Sequence, residues 1–182
     1  MKKCIILLIT LIFILLNTTK VYTEEEESEK MVVLTMDENY EFYYNDSLSD
    51  LFQQSWQTRF PLKDMKRTAE VNLLLKNSKL DRSIIVNSHT SESSGWEKAP
   101  VSSFTIILED NEDISLDFPD GLDENMTYED VILRHKDINY VNSGMTVYGY
   151  LQQVVFRQDI NDNFYEVNLV FYNDKLYSVK IG

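Results

Sequence analysis

"DFPDGLDENMTYEDVILRH", Asp117 to His135, decides how the second half of this 182-residue chain folds. Its acids are Asp117, Asp120, Asp123, Glu124, Glu129 and Asp130, and their density invites a calcium-loop reading. A loop of the EF-hand kind needs oxygen ligands at alternating positions, a Gly at the sixth place and a bidentate Glu at the twelfth. The acids here do not follow that spacing, and Pro119 stiffens the point where such a loop must bend. A helix start explains more of the residues. Thr127 stands as N-cap with Asp130 three residues on, and Met126 and Val131 hold the two places of a hydrophobic staple. Glu129 and Asp130 then lie at the positive end of the helix dipole, and Arg134, His135 and Lys136 at the negative end. Pro119-Asp120-Gly121 is the turn that closes the preceding strand.

C-terminal to this helix, "MTVYGYLQQVVFRQ", "NFYEVNLVFY" and "KLYSVKI" show period-two patterning, joined by "DIND" and by Asn173-Asp174. In the middle segment Tyr165, Val167, Leu169 and Phe171 share one face, and Glu166 and Asn168 lie on the other. Three antiparallel strands behind one helix are expected. N-terminal to it, residues 31–36 and 40–44 read as strands, and "SLSDLFQQSW" as a short helix capped by Ser47 with Asp50 as its partner. Val71, Leu73 and Leu75 alternate on one strand and "RSIIVNS" supplies the next, so "NSKLD" between them turns a hairpin. "SHTSESSGWEKAP" reads as a loop, and residues 101–109 around "FTIIL" as a further strand. The expected class is α+β: antiparallel sheets with few short helices, packed on one face. The pair Ser47-x-x-Asp50 and Thr127-x-x-Asp130 raises an alternative organisation, two similar helix-plus-sheet halves at residues 31–100 and 101–182.

The N-terminus has a different composition. Lys2 and Lys3 precede thirteen apolar residues, Cys4 to Leu16, and a polar stretch carrying Lys20 follows. That is the layout of a secretory signal peptide, and the run falls short of the ~20 apolar residues of a spanning helix. Residues 1–23 are therefore read as a signal peptide or N-terminal anchor, residues 24–30 as an acidic tether, and residues 31–182 as the folded domain. The expected location is secreted or on the extracellular face of the cell membrane, with membrane contact only through residues 4–16 if the segment is uncleaved. Cys4 begins the apolar run, whereas lipidation needs a cysteine at its end. The net charge is −13, and removing residues 1–23 takes away Lys2, Lys3 and Lys20 and no acid, leaving −16. Such a surface repels polyanions, so nucleic acid is not an expected partner.

Catalytic and metal motifs are sparse. His89 and His135 are the two histidines, and neither has a metal-ligating partner four residues on. No Gly-x-Ser-x-Gly occurs, and Cys4 is the lone cysteine. No cofactor and no metal site are expected. The aromatics Trp96, Tyr148 and Tyr150 are the candidate binding residues, because exposed rings stack on sugars or grip a protein partner. Buried, the same rings are ordinary sheet packing.

The order "DLFQQSW", "VNLLLKN", "SIIVNSH", "VSSFTIIL", "ISLDFPDGLDENMTYEDVILRH" and "VNLVFYNDKLYSVKIG" resembles a group of uncharacterised secreted proteins and lipoproteins of Firmicutes. In outline the helix-then-sheet unit is also similar to envelope modules of the outer-membrane assembly lipoprotein and β-lactamase-inhibitor type, and more distantly to PepSY domains. After the helix those modules continue with a Gly-x-Pro turn, where this chain reads "RHKDINY". The expected function is an exported, non-catalytic cell-envelope or secreted protein that binds a peptide, a protein or a wall polymer. The alternatives are a secreted hydrolase using paired carboxylates and a calcium-stabilised surface protein.

Overall fold

A computed structural model describes residues 30–59, 62, 69–90, 95–108, 113–147, 149–160 and 163–182. Residues 1–23, expected to be a signal peptide or N-terminal anchor, and all of residues 24–30 but Lys30 lie outside the described residues. Met31–Gly182 is one compact unit, and its described residues form mostly antiparallel strands with two short α-helices.

Among the described residues the strands form two sheets. The smaller joins β1 (Val32–Met36) to β2 (Tyr40–Tyr43) on one side and to β7 (Leu116–Asp117) on the other. The larger has eight strands: β3 (Trp56–Thr58), β4 (Ala69–Asn77), β5 (Arg82–Thr90), β6 (Val101–Ile107), β8 (Ile138–Thr146), β9 (Gly149–Ile160), β10 (Asn163–Tyr172) and β11 (Lys175–Ile181). Their order is β3-β4-β5-β6-β11-β10-β9-β8. Two meanders thus meet where the last strand of each pairs with the other, Val179 opposite Ile106 and Ile181 opposite Phe104. A short helix precedes each meander: α1 (Leu48–Gln53) before β3 and α2 (Tyr128–Arg134) before β8. A 3-10 turn at Trp96–Lys98 leads into β6.

Local chemistry fixes these elements. At both helix starts the N-cap has φ −95 and ψ 164 and a complete capping box. Asp50 Oδ2 accepts from the Ser47 amide at 2.8 Å, and Asp130 Oδ2 accepts from the Thr127 amide at 2.8 Å. The β10–β11 hairpin turns on Asn173 and Asp174, both at positive φ. A two-residue type I′ turn requires that conformation, and Asn and Asp tolerate it better than most side chains.

One face of the large sheet is covered. Leu73 and Leu75 of β4, Ile84 and Val86 of β5, Phe104 and Ile106 of β6, and Val167, Leu169 and Phe171 of β10 are all buried there. They pack with Leu48 and Leu51 of α1, Val131 of α2 and the small sheet in one core. Phe42 of β2 stacks on Phe104 with centroids 4.7 Å apart and lies 5.9 Å from Trp56. Tyr128 of α2 meets Phe171 edge-on at 6.1 Å.

Several local expectations need correction. "MTVYGYLQQVVFRQ" is not a single strand: the chain turns at Val147, so Met145 and Thr146 close β8 while Gly149 opens β9. Four strands follow α2, because "INYVNSGMT" forms an edge strand whose side chains are nearly all exposed and so carry no burial alternation. Trp56 heads the short strand β3 rather than ending the helix, and its ring is fully buried. β5 extends through Thr90, into the segment read as a loop.

Candidate functional site

The opposite face of the large sheet is open. Register places Tyr140, Val155, Asn168, Lys180, Thr105, Ile85 and Leu74 opposite one another in successive strand pairs, from edge strand β8 across to β4. The ends of this row are apolar and its middle is polar. Leu74 is 57% exposed and Tyr140 49% exposed. A neighbouring row is polar throughout: Arg157 opposes Glu166, Ser103 opposes Asn87, and Asn87 opposes Asn72. Between them the Glu166 and Gly182 backbones exchange two hydrogen bonds of 2.8 and 3.0 Å. A Cβ at position 182 would collide with Ser103.

Side-chain amides organise this surface. Asn87 Nδ2 donates to Glu70 Oε1 at 2.9 Å and to Asn72 Oδ1 at 3.2 Å. Gln153 Nε2 donates to Asn168 Oδ1 at 3.0 Å. Around them lies a shallow bay of about 360 Å³ lined by Glu70, Asn87, Ser103, Glu166, Asn168 and Lys180. It adjoins a cleft of about 440 Å³ at the end of the sheet, and Ser102, Ser103, Glu166 and Gly182 line both. The cleft is aromatic: Tyr43, Tyr44, Phe164 and Tyr165 line it, and the Arg157 guanidinium sits 3.3 Å over the Phe164 ring. The Tyr43 hydroxyl donates to Glu41. That hydrogen bond, with burial and the Glu41 charge, pushes its pKa up to about 12. Amide, aromatic and single charged groups in one open concavity suit reversible recognition of a polar chain.

The acidic run from Asp117 to Asp130 does a different job. Glu124 Oε2 accepts from the Leu116 amide at 2.9 Å, Asp120 Oδ1 from the Leu122 amide at 3.2 Å, and Asp123 Oδ1 from the Asn125 amide at 2.8 Å. Among the described residues no three His, Cys, Asp or Glu side chains converge as a metal set. His135, expected only as a dipole partner, sits in a largely buried pair with Asp120, Nε2 to Oδ2 2.8 Å, its ring stacked on Phe156 at 3.7 Å. Burial lowers its pKa, and Asp120 opposes that shift. Tyr165 is 2% exposed, and its hydroxyl has no hydrogen-bond partner among the described residues. Burial, followed by the Asp120 charge, raises its pKa.

The three aromatic candidates are not brought together. Trp96 is buried in the core at 7% exposure, so its ring packs and presents no binding face. Tyr148 lies outside the described residues. Tyr150, the second residue of β9, lies on the same side of the strand as Gln152, opposite Met145, and is 39% exposed. The open-face residues Leu74, Ile85 and Ile107 had a sequence signal. Each extends an apolar run, "LLL", "IIV" or "TIIL", where a half-buried strand would alternate.

No family model, no curated protein and no solved structure matches this chain.

Proposed function

We propose that this chain is an exported, non-catalytic protein of the cell envelope or exterior, an α+β fold of two related helix-plus-meander halves, that binds an extended peptide, a protein segment or a wall polymer. The observation that carries this reading is the asymmetry of the large sheet. Helices and the small sheet cover one face, while the other presents Leu74, Ile107, Phe164 and Tyr177 beside the Asn72–Asn87 amides and Lys180. Exposed aromatic and aliphatic side chains set among amides are what a chain-like ligand requires: apolar surface for its non-polar portions and donor–acceptor pairs for its polar backbone. Lys2, Lys3 and the apolar run behind them support export. The matched capping boxes and the meeting of β6 with β11 support the relation between the halves.

Thr105 lies at the centre of the open face, between Lys180 and Ile85. Full-length protein is offered isolated Gram-positive cell walls and, separately, an array of extended peptides. Wild type should be retained on one of them, and Thr105→Arg should weaken that retention about tenfold with no change in melting midpoint. Retention equal in the two proteins, or absent from both supports, counts against the reading.

A further inference from the structure

The two edges of the large sheet differ. β3 closes one edge with three residues, whereas β8 closes the other with nine, and no strand lies beyond β8 among the described residues. A free edge of that length presents a row of backbone donors and acceptors, and proteins ordinarily blunt such edges with lysines, prolines, bulges or brevity. Here the single irregularity lies between Ile138 and Tyr140. From Ile138 to Phe156 the sequence contains no Asp, Glu, Lys, Arg or Pro, although the chain as a whole carries −13. Exposed apolar side chains gather at the same place. Of ten large ones among the described residues, five lie between Tyr140 and Tyr150, with Met145 79% exposed.

We infer that β8 is a homodimer interface, pairing antiparallel with β8 of a second copy across a two-fold axis at Ser143. Directly opposed residues of an antiparallel pair point to the same side. An axis at Ser143 sets Val141 against Met145 of the other copy, and Asn142 against Gly144. Val141 and Met145 stand opposite Val154 and Tyr150 on the side of the sheet that carries the core. Each would gain an apolar neighbour there, so the strand is complementary to itself. The lack of charge matters most for this occupant, because two copies of an acidic chain repel wherever their carboxylates approach. The unequal edges also select the symmetry. A head-to-tail contact of β8 with the three-residue β3 would leave most of β8 unmatched, whereas β8 on β8 matches along its length and closes as a dimer. The product joins two eight-stranded sheets into one, with their open faces side by side.

The test uses the full-length chain with Cys4→Ser, which removes the lone native thiol. Opposed residues in such a pair have Cα atoms ~4.5–5.5 Å apart, within the reach of a disulfide. Mild oxidation should therefore convert the Ser143→Cys chain largely to a covalent dimer. The matching probe on the other edge, Gln57→Cys, should stay monomeric. Adding Val141→Lys and Met145→Lys places like charges across the axis and should abolish the cross-link formed by Ser143→Cys. Both positions are exposed in a single copy, so the melting midpoint should hold at concentrations too dilute for pairing. Association through the N-terminal apolar segment would cross-link both probes alike. Equal cross-linking of the two probes, a Ser143→Cys chain that stays monomeric, or cross-linking that survives the two lysines overturns the inference. A Ser143→Cys chain that stays monomeric and instead couples to an added extended cysteine peptide overturns it as well, and assigns the edge to a peptide.

Discussion

The two halves of the large sheet begin alike and end differently. Ser47 and Thr127 cap their helices with the same dihedral angles and the same reciprocal hydrogen bonds to the third residue. α1 then buries Leu48 and Leu51 and hands over to Trp56, which is fully buried at the head of β3. α2 buries Val131, leaves Leu133 84% exposed, and hands over to β8, whose residues are almost all in solvent. An equal local start therefore carries no information about how much core is built behind it. The first half spends its edge on stability, and the second leaves an edge free for association.

The sharpest way to break that comparison is to truncate both edges. Trp56→Ala removes a ring that lies 5.9 Å from Phe42 and should cost ~3–5 kcal/mol. Val141→Ala, 44% exposed on β8 of a single copy, should stay within ~0.5 kcal/mol at concentrations too dilute for β8 to pair. Denaturant titration of the two variants reads both values. Similar losses would mean that β8 is as deeply packed as β3.

A second prediction concerns the strand junction that follows β8. Gly149 has φ 146, and a Cβ there would lie 2.7 Å from the Tyr172 hydroxyl and from Asn173 Oδ1, which accepts from the Tyr150 amide. Gly149→Ala should destabilise by ~1–3 kcal/mol. Gly144, whose added Cβ meets nothing within 4 Å, should accept Ala with far less effect. Thermal melts of the two alanine variants compare them directly.

The caps should respond equally if they are equivalent. Ser47→Ala and Thr127→Ala are each expected to cost ~1 kcal/mol, the usual loss for an N-cap hydroxyl. Hydrogen bonds from Thr127 hold the Asp130 pKa below its ordinary 3.8. A carboxylate with a depressed folded pKa contributes stability that is complete above the unfolded value and is lost as pH falls through the folded one. Thr127→Ala should therefore flatten the acid limb of the stability profile below about pH 4. A limb unchanged by the substitution would show that Asp130 gains nothing from its cap.

His135 provides the smallest and most selective difference, since α1 ends without a histidine. Its pKa is lowered from 6.5, chiefly by burial, so the unfolded chain binds a proton that the folded one resists. Stability should be complete above pH 6.5 and decline as pH falls from there through the lower folded value. Arg134, on the same helix end, acts in the same direction, and Asp120 against it. His135→Gln should remove that slope. Asp120→Asn should move the His135 titration, followed by NMR, to lower pH.

Much of this architecture was legible wherever burial is one-sided. Tyr165, Val167, Leu169 and Phe171 alternate with polar residues because β10 has one face in the core. The capping boxes were legible because they are local. β8 was not, since a strand exposed on both sides carries no period, and β3 was not, since three residues are too few to show one. The polar neighbours of Trp96 leave its burial open in the sequence, and on the 3-10 turn its ring lies buried in the core. The open face was hidden by its own composition. Where both sides of a strand are apolar, as at Leu73, Leu74 and Leu75, a run does not say which residues belong to the core.

One face of the large sheet makes the fold and the other does not, and two neighbours on β6 test that division. Ile106 is 1% exposed on the covered face, and Thr105 is opposite Lys180 on the open one. The measurement is the unfolding free energy of Ile106→Arg set beside that of Thr105→Arg. Ile106→Arg, which buries an unpaired charge, should lose several kcal/mol or unfold outright, and Thr105→Arg should change by no more than ~0.5 kcal/mol. Equal losses at the two positions would contradict that division.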